Sequence, residues 1–87
     1  VIVRTIALTA APAYKQIIPP DITVHAGRWQ WTVLFPAAVT LAEDSAGTNA
    51  QVGLAFGTAP VSIVAENEAL WAAGTGNVSV LGCHYPN

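Results

Sequence analysis

Residues able to do chemistry are few in this sequence. The metal-ligating types are His25, Cys83 and His84. No pair of them has the spacing of a zinc site, and neighbours in an extended strand point to opposite faces, so Cys83 and His84 would not share a ligand. Glu43 with Asp44, and Glu66 with Glu68, offer paired carboxylates for acid-base work or calcium. Both pairs fall in polar loops or at loop edges, where solvated charge is the default, and a glycosidase pair is not expected. A Ser-His-Asp grouping would need support from a G-x-S-x-G elbow, and the sequence has none. Gly74-Thr75-Gly76 lacks the lysine and helix start of a phosphate loop. Asn77-Val78-Ser79 matches the N-glycosylation acceptor pattern, which carries meaning only in a secreted eukaryotic chain. The expectation is a non-enzymatic chain with no catalytic residue, no metal and no cofactor.

The aromatic residues carry more weight. Trp29 and Trp31 are two apart, so on a strand they share a face. That face could be core, a sugar-stacking platform or an interface anchor, since Trp is enriched among residues that dominate association energies. Trp71 sits among Ala69, Leu70, Ala72 and Ala73 and reads as core.

Composition narrows the classes of partner. The 87 residues make one domain, expected to span residues 1–87. Charged residues are only 9% of the chain, against about 25% in an ordinary soluble domain, while apolar residues reach 53%. One small core cannot hide that much apolar surface, so part of it should be covered by other copies or by a partner. The net charge is −2, and the only cations are Arg4, Lys15 and Arg28. Three dispersed cations cannot make the electrostatic footprint of a nucleic-acid or anionic-membrane binder. The uncharged run over residues 29–42 is too short to cross a bilayer and is broken by Pro36. Residues 1–13 faintly suggest a signal peptide but lack a charged head, and read instead as a strand. With one cysteine there is no internal disulfide. Cys83 reads as a partly buried, inert thiol, with an intermolecular bridge as the alternative.

The elements that must position these residues are strands. Residues 1–9 form the first, with Ile2, Ile6 and Leu8 on one face and Arg4 breaking it, a mark of a sheet edge. Residues 14–18 are a short extended piece stopped by Pro19-Pro20-Asp21, and residues 22–25 are another. Residues 29–35 form the strongest strand, with Trp29, Trp31, Val33 and Phe35 on one face and Gln30, Thr32 and Leu34 on the other. A further strand over residues 39–42 leads into the best loop, Glu43-Asp44-Ser45-Ala46-Gly47-Thr48-Asn49. Strands over residues 51–56 and 61–64 follow, and helix has no strong claim on residues 66–73. Residues 69–83, ALWAAGTGNVSVLGC, read as a β-hairpin around Gly74-Thr75-Gly76-Asn77. Seven or eight short strands at this spacing predict an all-β fold, a small single-domain sandwich or barrel.

Residues 64–81, VAENEALWAAGTGNVSVL, resemble the closing segment of small β-rich virion proteins of tailed bacteriophages, including capsid decoration or cement proteins. The matching residues are Glu66, Glu68, Leu70, Trp71, Gly74, Gly76, Val78 and Val80, in an acidic turn, a Leu-Trp strand, a Gly-rich turn and a V-x-V strand. The resemblance covers about a fifth of the chain and transfers no catalytic residue. It implies a structural protein made in the host cytoplasm that binds the capsid exterior and stiffens the shell. Its partners would be the major capsid protein or other virion subunits, with self-association, a trimer among the options. On that basis Tyr14, Trp29 and Trp31 are the expected interface anchors and the first strand an edge open to pairing. The alternative is a carbohydrate- or receptor-binding module of a tail or fibre.

Overall fold

The computed structural model describes residues 1–20 and 27–85. The strand expected over residues 22–25, and His25 with it, lies outside the described residues. The strands among the described residues are β1 (Ile2–Ala7), β2 (Lys15–Ile18), β3 (Arg28–Leu34), β4 (Val39–Ala42), β5 (Gln51–Leu54), β6 (Val61–Glu66), β7 (Leu70–Ala73) and β8 (Asn77–His84).

Each strand pairs antiparallel with the one that mirrors it in sequence: β1 with β8, β2 with β7, β3 with β6 and β4 with β5. The chain is therefore one long two-stranded ribbon doubled back at residues 43–50. Rolling the ribbon brings β8 beside β3 and β7 beside β4. Two four-stranded sheets result, ordered β1-β8-β3-β6 and β2-β7-β4-β5, which is the jelly-roll arrangement. Extents of 34 × 27 × 18 Å fit two layers of sheet about 10 Å apart.

Alternation builds the layer between the sheets. Trp31, Val33, Val78, Val80 and Ala65 point inward from the first sheet and meet Ile17, Ile18, Val39 and Ala72 of the second. Ile17 and Ile18 are neighbours yet both are buried, because the register of β2 shifts between Gln16 and Ile18 and lets the strand turn two successive side chains inward. Phe35 and Phe56 stack at 4.7 Å and join the end of β3 to the segment after β5.

The hairpin expected over residues 69–83 is not formed. Both of its strands are present, but β7 belongs to one sheet and β8 to the other. The glycine-rich turn is an arch that crosses between sheets. Its backbone is pinned by the end of β1, not by its own flanks: Gly74 N–H donates to Thr9 O and Leu8 N–H donates to Gly76 O, each at 2.9 Å. Among the described strands, only β4 and β5 are sequential and also pair.

Candidate interface

Trp31 is 2% exposed and sits in the core, which corrects its expected place at a partner surface. The reason lies across the sheet, where Trp31 is in register with Gly82 of β8. A β-carbon at Gly82 would overlap Cζ3 and Cε3 of the Trp31 ring, so the indole lies flat on bare backbone that no other residue could provide. Trp29, one pleat further along the same face, is half-buried. Its ring stacks on Trp31 at 5.5 Å and 17°, and meets His84 edge-on at 5.6 Å. Tyr14, just before β2, is half-buried with its ring against Gly47 in the loop between β4 and β5. A β-carbon at Gly47 would come 2.7 Å from Tyr14 Cε2, so the ring clamps that loop. Of the three expected anchors, the fold brings Trp29 and Trp31 together and holds Tyr14 apart.

Trp71 also departs from expectation. It is half-buried and outside the core cluster, because in register with Gln16 and Ala42 it faces away from the inter-sheet layer. Cys83 is exposed rather than partly buried, since Val78, Val80 and Gly82 take the inward positions of β8 and leave the odd-numbered residues outward.

The carboxylates of the 43–50 loop are spent on its own backbone and side chains. Asp44 Oδ1 accepts from Ala46 N–H at 3.0 Å and Thr48 N–H at 3.1 Å, while Oδ2 accepts from the Thr48 hydroxyl at 2.6 Å. Those bonds, the Thr48 hydroxyl first, hold the Asp44 carboxyl below its ordinary value. Asn49 Nδ2 donates to Glu43 Oε2. Glu66 pairs with Arg28 at 3.4 Å. Among the described residues, no group of three or more His, Cys, Asp or Glu side chains could hold a metal ion. No helix of the described residues is long and apolar enough to cross a membrane.

What the fold assembles instead is a surface. On the outer face of the β1-β8-β3-β6 sheet, the register lines up Val3, Leu81, Thr32 and Ser62 in one row across all four strands. Thr5, Ser79 and Leu34 make the next row, and Cys83, Gln30 and Val64 a third. None of these side chains is charged. Val3 is 65% exposed, Val64 47%, Leu81 43% and Leu34 41%. A shallow hollow of about 160 Å³ opens among Val3, Thr32, Leu34, Pro60, Ser79 and Leu81. Among the described residues, charge borders these rows at one end, where Arg28 and Glu66 are partners and compensate each other, and at the β1 edge, where Arg4 lies against the carbonyl of Val3. The signal for this face was in the sequence as the residues left over from the inward alternation, Gln30, Thr32 and Leu34 against Trp29, Trp31 and Val33. Comparison with protein-family models, with curated proteins and with solved structures finds no match to this chain.

Proposed function

We propose that this chain is a non-enzymatic viral structural protein that lies on the exterior of a capsid and stabilises the shell. The observation that carries the reading is the uncharged outer face of the β1-β8-β3-β6 sheet, with Val3, Leu34, Val64 and Leu81 exposed together on rigid strands. Such a face carries no charge in its rows to steer a ligand. It gains by excluding water over a broad contact, with its Thr and Ser hydroxyls satisfying polar atoms at the margin. Laid across a joint between shell subunits, it must lose all those contacts at once before the joint opens. The jelly-roll arrangement serves capsid and lectin domains alike, so the architecture supports the reading only by analogy.

The glycan-binding alternative has weaker support. A groove of about 290 Å³ carries Glu43, Asn49 and Gln51 above Leu41, Leu54 and Leu70, but no aromatic ring lines it for a sugar to stack on. Co-sedimentation of the purified chain with empty bacteriophage capsid shells tests the proposal. A fixed number of copies per shell, saturating with concentration, is the expected result. A chain that stays in the supernatant at every concentration would contradict it.

A further inference from the structure

A two-sheet sandwich has four edge strands, and among the described strands these are β1, β6, β2 and β5. An edge presents unpaired backbone donors and acceptors, and proteins that stay monomeric guard theirs with charge, proline, bulges or brevity. Three of these four are guarded. In the middle of β1 stands Arg4, whose Nη1 donates to the carbonyl of Val3 at 2.8 Å and so keeps a cation along that edge. β2 has only four residues, begins at Lys15, shifts register between Gln16 and Ile18 and runs into Pro19 and Pro20. β5 is equally short, pairs irregularly with β4 and contains Gly53 at a φ of 72°.

The fourth edge is guarded only at its ends, by Pro60 before it and by Glu66 as its last residue. β6 has six residues, Val-Ser-Ile-Val-Ala-Glu, all in unbroken register with β3 from Val61 to Glu66. Its one charge, Glu66, is at the end and paired to Arg28. Beside it the described residues leave a cleft of about 270 Å³, lined by Ile18, Ile63, Ala65, Ala69 and Leu70, with Glu68 at its margin.

We propose that β6 is a self-association edge, to which a second copy of this chain adds its own β6 antiparallel, about a two-fold axis through Ile63. The strand is complementary to itself in that register. Ile63 meets the other copy's Ile63 at the apolar cleft, Val61 meets Ala65, and Ser62 meets Val64 on the outer face. The two Glu66 residues fall at opposite ends of the new ladder, roughly 20 Å apart along the strand and beyond a Debye length of about 8 Å. No like charges oppose one another. A two-fold perpendicular to the sheet also carries both outer faces to the same side, so the pair presents one continuous eight-stranded surface. The inference rests on the edges of the fold and not on shell binding, and its test needs no shell.

Sedimentation velocity of the purified chain over a wide concentration range, with two charge variants, decides the matter. Ser62 and Val64 are exposed on the solvent face, so S62K/V64K leaves the monomer folded, as circular dichroism and melting temperature would register. In the proposed dimer the same variant sets lysines directly opposite one another on both sides of the axis. Wild type is expected to shift from monomer to dimer with concentration, and S62K/V64K to raise the dissociation constant roughly tenfold or more. Mixing S62K/V64K with S62E/V64E is expected to restore a dimer containing one copy of each, because the opposed charges then attract. A wild type that is monomeric at every concentration would overturn the proposal and leave the edge to an extended segment of another protein. So would a trimer, or a lysine variant that associates as wild type does.

Discussion

The two faces of the β1-β8-β3-β6 sheet are made from alternate residues of the same strands, and both are rich in apolar side chains. Inside, Trp31 rests on Gly82, Val33 and Val80 are 2% exposed or less, and the neighbouring strands leave no room for change. Outside, Val3, Leu81 and Leu34 stand in comparable company with nothing over them. The low charge of the sequence therefore has two causes. One face is apolar because it holds the sandwich together, and the other is apolar without contributing much to folding. Substitutions on the two faces should fail in different ways.

The largest effect is expected from W31A, which removes the biggest fully buried side chain and should lower the unfolding free energy by about 3–5 kcal/mol in urea titration. G82A attacks the same contact from the other side. Its added methyl drives the indole off β8 at a cost of about 1–3 kcal/mol, and the stacking of Trp29 on Trp31 should be disturbed with it, visible in near-ultraviolet circular dichroism. An intermediate case lies on neither face. Because the Thr48 and backbone hydrogen bonds depress the Asp44 carboxyl in the folded chain, their contribution to stability is complete above the ordinary carboxylate range and is lost as pH falls through the depressed value. Wild type should therefore melt slightly above D44N at neutral pH, with the gap closing as the solution is acidified below about pH 4. The smallest stability effects belong to the outer face: V3K and L81K should each change the unfolding free energy by no more than about 0.5 kcal/mol, yet abolish co-sedimentation with shells.

The sequence made the strands legible but not their partners. The period-two run from Trp29 to Phe35 identified β3 and its inward face, and the polar stretch after Ala42 identified the loop at which the ribbon doubles back. Pairing was another matter. A glycine-rich turn between two apolar runs is a local signal, and it cannot tell a hairpin from an arch, since β7 and β8 are separated by their bonds to β4 and β3 far away in sequence. The clue to the place of Trp31 was Gly82, a glycine inside a V-x-V strand that marks a close approach, although what approaches is set by a partner strand some fifty positions distant. Cys83 could have been placed outward by counting from Val78 and Val80. The bulge in β2, which buries two successive isoleucines, had no local signature.

Cys83 lies on the outer face in the row of Gln30 and Val64, so the molecule carries its own reporter there. The most direct measurement is the rate at which a maleimide labels this thiol in the free chain and in the chain mixed with empty shells. Rapid labelling in the free chain, slowed roughly tenfold or more in the sedimented complex, is the predicted result for a face that is bare alone and covered on the shell. Equal rates in the two states, with the chain bound, would show that the shell takes some other surface and would contradict the account.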